Sequence, residues 1–494
     1  MSKKAVLGVL AAAIVVAYGG STWWAGTKVR SAYDTAFGEL PKQTALVRVT
    51  ERSYERSFFG AVSTVTLEIG CAADAAAQAP AAAKPPEGEE EEGSEEEKKA
   101  DATPPPKPLR ITLRDTIHHG PFAGGTLAAA TIDSELVLDD KAQVEATKLF
   151  GTAKPLTAHT KVAFDGAYTS DITAAPAKFT EEGKGQFAWQ GAQARIETNA
   201  ARTQVRYELT MPGLDASNPA KGLQLKVGKF SAKADLDTSG GWILTTGKTE
   251  GRLESFEFSA DQGLTPGDAP HKALPKVLLQ NIDLLADASV KDGLYASTGT
   301  LKGKGKIGET TIDNFEMSSG GRRIQAAGYK KIMDAWMQSS AAGGCGKSSK
   351  ASQAAMQALA NQLAPDLKAM AKYSPEFGLD KMVVEMGGKR GELSYSAGMV
   401  GVTDEDLQLP GMALLMKRGV VKANARLPVK WIEQLAETGA QTGQTPPPEM
   451  VAGLVEQGEA KGFVKRDGDD VTGQIEFSEG SLKVNGKPLN GLGQ

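Results

Sequence analysis

The sequence has 494 residues, 40% of them hydrophobic and 6% aromatic, and its formal net charge is −4. This length allows two or three ordinary domains or one extended domain, and no basic stripe indicates binding to a nucleic acid. The 56 glycines exceed the usual share of about 7%, which favours many turns between short strands.

The chain begins with an uncharged apolar stretch, residues 5–27, which lies between lysines on both sides. A helix of this length measures about 35 Å, enough to cross a hydrocarbon core of about 30 Å. Trp23 and Trp24 lie at its far end, and indole rings favour the membrane–water interface. We therefore predict that residues 1–27 form a transmembrane anchor and that the rest of the chain is exported.

A cleaved signal peptide is the alternative interpretation of the same stretch. Ala17-Tyr18-Gly19 resembles a cleavage site with small residues on either side of a larger one. Both interpretations send the remaining chain to the membrane or across it.

Residues 28–74 are predicted to begin the exported β domain. Apolar residues recur at helical spacing from Val29 to Phe37, which predicts a helix that continues as far as Pro41. Residues 44–57 and 61–69 then alternate between apolar and polar side chains, which predicts two strands.

Residues 75–108 consist largely of Ala, Pro and Glu. Such a composition buries too little apolar surface to fold, and its glutamates repel one another. We predict a solvated, disordered loop inserted between two strands.

The two cysteines, Cys71 and Cys345, could form a disulfide in an oxidising compartment. Two unrelated thiols are the alternative, because Cys71 borders the acidic loop and Cys345 lies in a glycine-rich turn. The sequence leaves both interpretations open.

Residues 109–320 read as a succession of short strands separated by turn residues, among them a pair at 185–189 and 194–198. No helical pattern intervenes, so we predict an antiparallel meander rather than a parallel α/β sheet.

Residues 321–494 are predicted to mix helices and strands. Helical spacing covers 323–341 and 349–373, where Pro365 is expected to kink or split the second helix. Two more predicted helices cover 429–438 and 447–457. Strands are predicted at 380–386, 391–400, 461–467, 471–477 and 481–485.

Together these elements predict a fold that is mainly β with helices, of the α+β class. It comprises an N-terminal transmembrane helix, a long curved antiparallel β meander, and helical segments in the C-terminal third.

No stretch carries a recognisable catalytic or cofactor motif. The glycine-rich string at 343–349 lacks the glycine that a phosphate loop needs five positions before Gly346. His118 and His119 are adjacent and would point to opposite faces of a strand. We predict no catalytic residue, no cofactor and no metal.

His119-Gly120-Pro121-Phe122 describes a chain that reverses sharply after a strand. Gly120 allows torsion angles that other residues resist, Pro121 fixes the next φ, and Phe122 is expected to return to the core. His119 is interpreted as a turn residue, with a functional site as the alternative.

Three stretches resemble the YdgA-like family of Gram-negative envelope proteins of unknown function. They are the apolar span that runs into residues 19–26, the string Tyr54-Glu55-Arg56-Ser57-Phe58-Phe59, and His119-Gly120-Pro121-Phe122. The terminal strand at 482–489 is also similar, whereas the acidic segment 75–108 departs from the family. The resemblance implies an inner-membrane protein with its bulk in the periplasm. It makes Tyr54, Arg56, His119, Gly120, Pro121 and Phe122 family-motif positions, which we interpret as structural.

Two functional hypotheses follow. The first is a membrane-anchored binding module that takes a lipid or another apolar envelope component on a curved sheet, which is an argument from architecture alone. The second is a scaffold that pairs with itself, as a homo-oligomer, or with other envelope components through an exposed sheet edge. An enzyme is not predicted, because no motif supports one.

Overall fold

A computed structural model of the chain describes residues 21–23, 25–31, 34–35, 37–38, 47–69, 109–181, 185–260, 274–343, 349–432 and 448–489. The acidic segment 75–108, both cysteines and residues 433–438 lie outside these described residues. The predictions made for them are therefore not addressed by the structure.

The protein is mainly β, with 58% strand in one large antiparallel sheet and some helices. This confirms the predicted class and the antiparallel pairing. Among the described residues, no helix is long and apolar enough to cross a membrane. Most of the predicted anchor lies outside the described residues.

The chain divides into two compact units. Unit 1 comprises residues 1–175, 195–203 and 330–365, and unit 2 comprises residues 176–194, 204–329 and 366–494.

Unit 1 is built on an antiparallel sheet in which each strand pairs with the next. Its strands and its helix are β1 (Val47–Arg56), β2 (Gly60–Ile69), β3 (Leu109–His119), β4 (Ala130–Val137), α1 (Asp140–Phe150), β5 (Leu156–Val162) and β6 (Tyr168–Ala174). A further strand, β9 (Ala192–Thr198), crosses the boundary between the units.

One face of the unit 1 sheet forms a hydrophobic core. Val65, Ile117 and Ala130 are fully buried on this face, because side chains alternate between the two faces of a strand. The N-terminal helical segment, which we define as the described residues between 21 and 38, covers this face. Val29 packs into the core, with Phe37 against it.

The helix α1 was not predicted, and it corrects the expectation that no helix interrupts residues 109–320. Asp139 caps it by accepting a hydrogen bond from the backbone N–H of Ala142 at 2.8 Å. The helix ends before Gly151, whose φ is +63°. Both signals are present in the sequence, but the exposed Val144 obscures the amphipathic pattern.

Unit 2 begins with short strands. They are β7 (Ala177–Glu181), β8 (Gly185–Trp189), β10 (Gln204–Met211), β11 (Leu214–Asn218), β12 (Leu223–Val227) and β13 (Phe230–Asp237). The strand β8 pairs with β7 and β11. The strands predicted at 185–189 and 194–198 are both present, as β8 and β9, but they are not paired with each other.

Longer strands then form a continuous meander. They are β14 (Thr246–Ala260), β15 (Leu274–Lys291), β16 (Leu294–Ile307), β17 (Thr310–Gln325), β18 (Glu376–Met386), β19 (Lys389–Met399) and β20 (Gly419–Pro428). Each pairs antiparallel with its predecessor. The 18 residues of β15 span about 60 Å.

The remaining elements are α2 (Ala326–Gly343), α3 (Ser349–Ala371), α4 (Gly411–Arg418), α5 (Pro448–Ala460), β21 (Lys465–Asp467), β22 (Asp470–Ser478), β23 (Ser481–Val484) and β24 (Lys487–Pro488). The helices predicted at 349–373 and 447–457 are confirmed, and the second begins at Pro448. Strand β17 continues to Gln325, so the helix predicted from 323 begins three residues later. Pro365 lies inside α3 and does not split it.

A buried carboxylate fixes the loop before α4. Asp406 is almost inaccessible, and it pairs with Lys417 Nζ at 2.7 Å and Arg418 Nε at 2.7 Å. Its Oδ2 also accepts from the backbone N–H of Thr403. These contacts, with Lys417 foremost, hold the pKa of Asp406 well below its usual range. The cluster is satisfied internally, which is typical of a structural role.

Candidate functional site

Strands β1, β2 and β3 bring three of the motif positions together on the covered face of unit 1. Arg52, Tyr54 and Arg56 alternate along β1 and therefore share one face. His119 ends β3, and its backbone N–H donates to Phe59 O at 3.0 Å. The N-terminal helical segment lies over all of them.

His119 is the most deeply buried of these residues, with 3% of its surface exposed, whereas the adjacent His118 is exposed. Its ring lies against Gly26, where an added Cβ would stand 2.6 Å from His119 Cε1. Neither ring nitrogen has a hydrogen-bond partner within the described part of the chain. The side chain therefore fits a packing role at least as well as a chemical one.

The charge state of His119 follows from this environment. Burial lowers the pKa of His119, and the positive charge of Arg56 lowers it further. The backbone of Gly60 and Thr22 acts in the opposite direction but does not reach hydrogen-bond geometry. Burial and the charge of Arg56 both favour the neutral imidazole over the charged form.

Arg56 and Tyr54 fasten the N-terminal helical segment to β1. Arg56 Nη2 donates to the carbonyl oxygen of Trp23 at 2.9 Å, and its guanidinium lies 5.8 Å from the Trp23 ring centroid. The guanidinium of Arg30 lies 5.6 Å from the Tyr54 ring centroid. Burial raises the pKa of Tyr54, so the phenol stays neutral.

The third contact of this kind lies further along the helical segment. The guanidinium of Arg52 stands 5.8 Å from the Phe37 ring centroid and pairs with Asp34. The three contacts pair successive residues of the helical segment with successively earlier residues of β1. The helical segment therefore runs antiparallel to β1.

Gly120, directly after β3, packs against Thr22 of the N-terminal helical segment. Its φ is +124°, and an added Cβ would stand 2.8 Å from Thr22 Oγ1. The predicted turn at Gly120-Pro121 is present. However, the prediction that Phe122 returns to the core is wrong, because 62% of Phe122 is exposed.

In the part of this cluster that the structure describes, no side-chain nucleophile is hydrogen-bonded to His119. Among the described residues, no group of three His, Cys, Asp or Glu side chains could hold a metal ion. What the geometry does achieve is attachment of the N-terminal helical segment to the sheet.

Unit 2 presents a second candidate site, which sequence reasoning missed. Leu284, Leu301, Met317, Met382 and Leu393 are successive cross-strand partners on the adjacent strands β15 to β19. Four of them, all except Leu301, are 38–42% exposed. We call the side of the sheet that carries this row the apolar face.

Further exposed side chains extend the apolar face along the strands. The registers place them on the same side of β18, β19, β20 and β22. They are Phe377, Tyr395, Val421 and Ile475. The row across β15 to β19 alone spans about 19 Å, since neighbouring strands lie about 4.8 Å apart.

The opposite face of the same strands is mostly charged, although Leu285 is also exposed there. Its rows are joined by ion pairs, including Arg252–Asp283 at 3.9 Å and Lys302–Glu316 at 3.6 Å. Lys381 adds a second contact to Glu316 at 2.8 Å. The sheet is thus amphipathic, with a hydrated face and a face that gains free energy when it is covered.

A family model described as "Bacterial protein of unknown function (DUF945)" matches residues 1–491. The chain belongs to the DUF945 family. No curated protein and no solved structure matches the chain. The family description is coarser than the predicted resemblance, and it assigns no activity.

Proposed function

We propose that the protein binds an apolar component of the cell envelope, such as the acyl chain of a lipid, on the apolar face of unit 2. The observation that carries the proposal is the row of exposed Leu and Met side chains across β15 to β19. Such patches are uncommon on soluble monomers and mark sites of interaction. Flexible Met and Leu side chains also adapt well to ligands of varied shape.

The proposal places the protein in the inner membrane, with its bulk in the periplasm. The uncharged stretch 5–27 and the resemblance to YdgA-like proteins support this location. A reporter that is active only outside the cytoplasm, fused after Gln494, should be active and should sediment with inner membranes. An inactive fusion would reverse the topology, and a soluble active fusion would mean that the segment is cleaved.

Site-specific photo-crosslinking in cells tests the ligand. A benzophenone amino acid replaces Met382 or Leu393 on the apolar face, and Glu316 or Glu392 on the charged face as matched controls. Purified chains are then analysed by mass spectrometry for covalent lipid adducts. We expect adducts at Met382 and Leu393 and none at the two controls.

The competing function is a scaffold that associates with itself or with other envelope proteins. It predicts protein adducts in place of lipid at Met382 and Leu393. Either that result or equal lipid labelling on both faces would overturn the binding proposal.

A further inference from the structure

Six large apolar side chains at one end of unit 1 are exposed to solvent. Each has between 50% and 64% of its surface accessible. They are Trp23, Phe58, Phe59, Phe122, Leu127 and Phe164. We call this group the apolar rim.

The strand directions explain why residues so distant in sequence share one end. Strand β1 ends and β2 begins there, with Phe58 and Phe59 in the connection. Strand β3 ends and β4 begins at the same end, since Gly60 pairs with His118 and His119 pairs with Ala130.

The next connection also lies at this end. Val162, the last residue of β5, pairs with Ala130 and with Tyr168. The turn that carries Phe164 therefore lies at the same end of the sheet as the other two connections. All three connections at this end carry exposed apolar side chains.

The N-terminal helical segment begins at the same end. Trp23 is held by Arg56, the last residue of β1, and Thr22 lies against Gly120 in the β3–β4 connection. The first described residues of the chain therefore lie at the rim, and in sequence they directly follow residues 5–20 of the uncharged stretch.

The opposite end of the unit 1 sheet also exposes apolar side chains, such as Leu109 and Val144, but those exposed there among the described residues are aliphatic. There the β4–β5 connection carries α1, whose surface includes the pair Lys148–Glu145 at 2.6 Å. Aromatic rings in the turns at one end, and a helix with charged and aliphatic side chains at the other, indicate an orientation relative to the membrane–water interface.

We infer that the apolar rim inserts into the lipid–water interface of the membrane. Aromatic rings favour this layer, and exposed apolar side chains beside an anchor add buried area to membrane binding. The inference rests on the membrane location in the proposed function, and it is independent of ligand binding on the apolar face. It assigns unit 1 a membrane-facing end.

Depth-dependent fluorescence quenching tests the inference on the full chain. The variants Phe58→Cys and Phe164→Cys, in a background with Cys71→Ser and Cys345→Ser, are labelled with bimane. They are reconstituted into vesicles of phosphatidylethanolamine and phosphatidylglycerol that contain a nitroxide-labelled lipid. Val144→Cys is the matched control, since Val144 is 57% exposed but lies on α1.

We expect quenching several-fold stronger at positions 58 and 164 than at 144. Equal quenching at all three positions, or none at the rim of chains that float with the vesicles, overturns the inference alone. Chains that fail to float with the vesicles overturn the membrane location together with the rim. Phe164→Cys is the sharper probe, because it is farthest in sequence from the N-terminal stretch.

Discussion

The two units differ in whether the apolar face of the sheet is covered by the chain. In unit 1 the apolar face of the sheet is covered by the N-terminal helical segment, and Val65 and Ile117 are inaccessible. In unit 2 the row from Leu284 to Leu393 remains accessible, although it is as apolar as a core. A sheet face that the chain covers itself contributes to stability, whereas a face left open is available to a ligand or partner.

Large-to-small substitutions on the two faces should separate these roles most clearly. Ile117→Ala is expected to lower the free energy of unfolding by about 3 kcal/mol, because it leaves a cavity in a packed core. Met382→Ala on the apolar face should cost no more than about 1 kcal/mol. Denaturant unfolding with hydrogen exchange in β3 and β18 measures both. Equal losses would mean that the apolar face is already covered by a second copy of the chain.

Two glycines in the N-terminal helical segment give a matched test of the covering contact. In an exposed helix, Gly→Ala stabilises by about 0.5–1 kcal/mol, and we expect this for Gly38→Ala, since nothing lies within 4 Å of the added Cβ. Gly26→Ala should instead cost about 1–2 kcal/mol, because the added Cβ meets the His119 ring. Thermal unfolding of both variants is the measurement. Stabilisation by both would show that the segment does not pack on His119.

The stability of unit 1 should depend on pH through His119. We expect this effect to be smaller than the effects of the substitutions above. The pKa of His119 in the folded chain is lowered below its ordinary value near 6.5. Between the pKa of His119 in the folded chain and its pKa in the unfolded chain, the unfolded chain binds more protons than the folded chain. Stability therefore falls as the pH drops below about 6.5. His119→Gln should remove this slope, whereas His118→Gln, on the exposed neighbour, should keep it. Melting temperatures between pH 7 and pH 5 decide the matter.

The His119→Gln variant also distinguishes a packing role of His119 from a chemical role. A folded His119→Gln chain should still complement a deletion strain if the residue only packs. A folded chain that fails to complement would contradict the packing role and make His119 the centre of a site.

The sequence predicted strands well wherever apolar and polar residues alternate, as in β2 and β3. It also indicated the turn at Gly120, because a glycine followed by a proline is typical of turns. It failed at Phe122, since exposure of a ring depends on whether another segment reaches it. Periodicity along one strand cannot report that.

The apolar face was not visible in the sequence for a related reason. Met317 and Met382 are 65 positions apart and become neighbours only through the register of β17 with β18. Bulges shift that register between Ser318 and Ser319, so alternation within each strand does not show which side chains share a row. Only pairing assembles the row.

The smallest expected effect concerns the charged face of unit 2. A hydrogen bond from Lys381 lowers the pKa of Glu316, and the charge of Lys302 acts in the same direction. The lowered pKa means that Glu316 contributes stability above its unfolded pKa of about 4.3, and that this contribution is lost as the pH falls through the folded value. On a hydrated face Glu316→Gln should cost less than about 1 kcal/mol at pH 7. Glu309→Gln, on a fully exposed side chain paired with Lys306, should be neutral. If Glu316→Gln instead costs as much as Ile117→Ala, the charged face is desolvated by a partner. The open surface of unit 2 would then be assigned to the wrong side of the sheet.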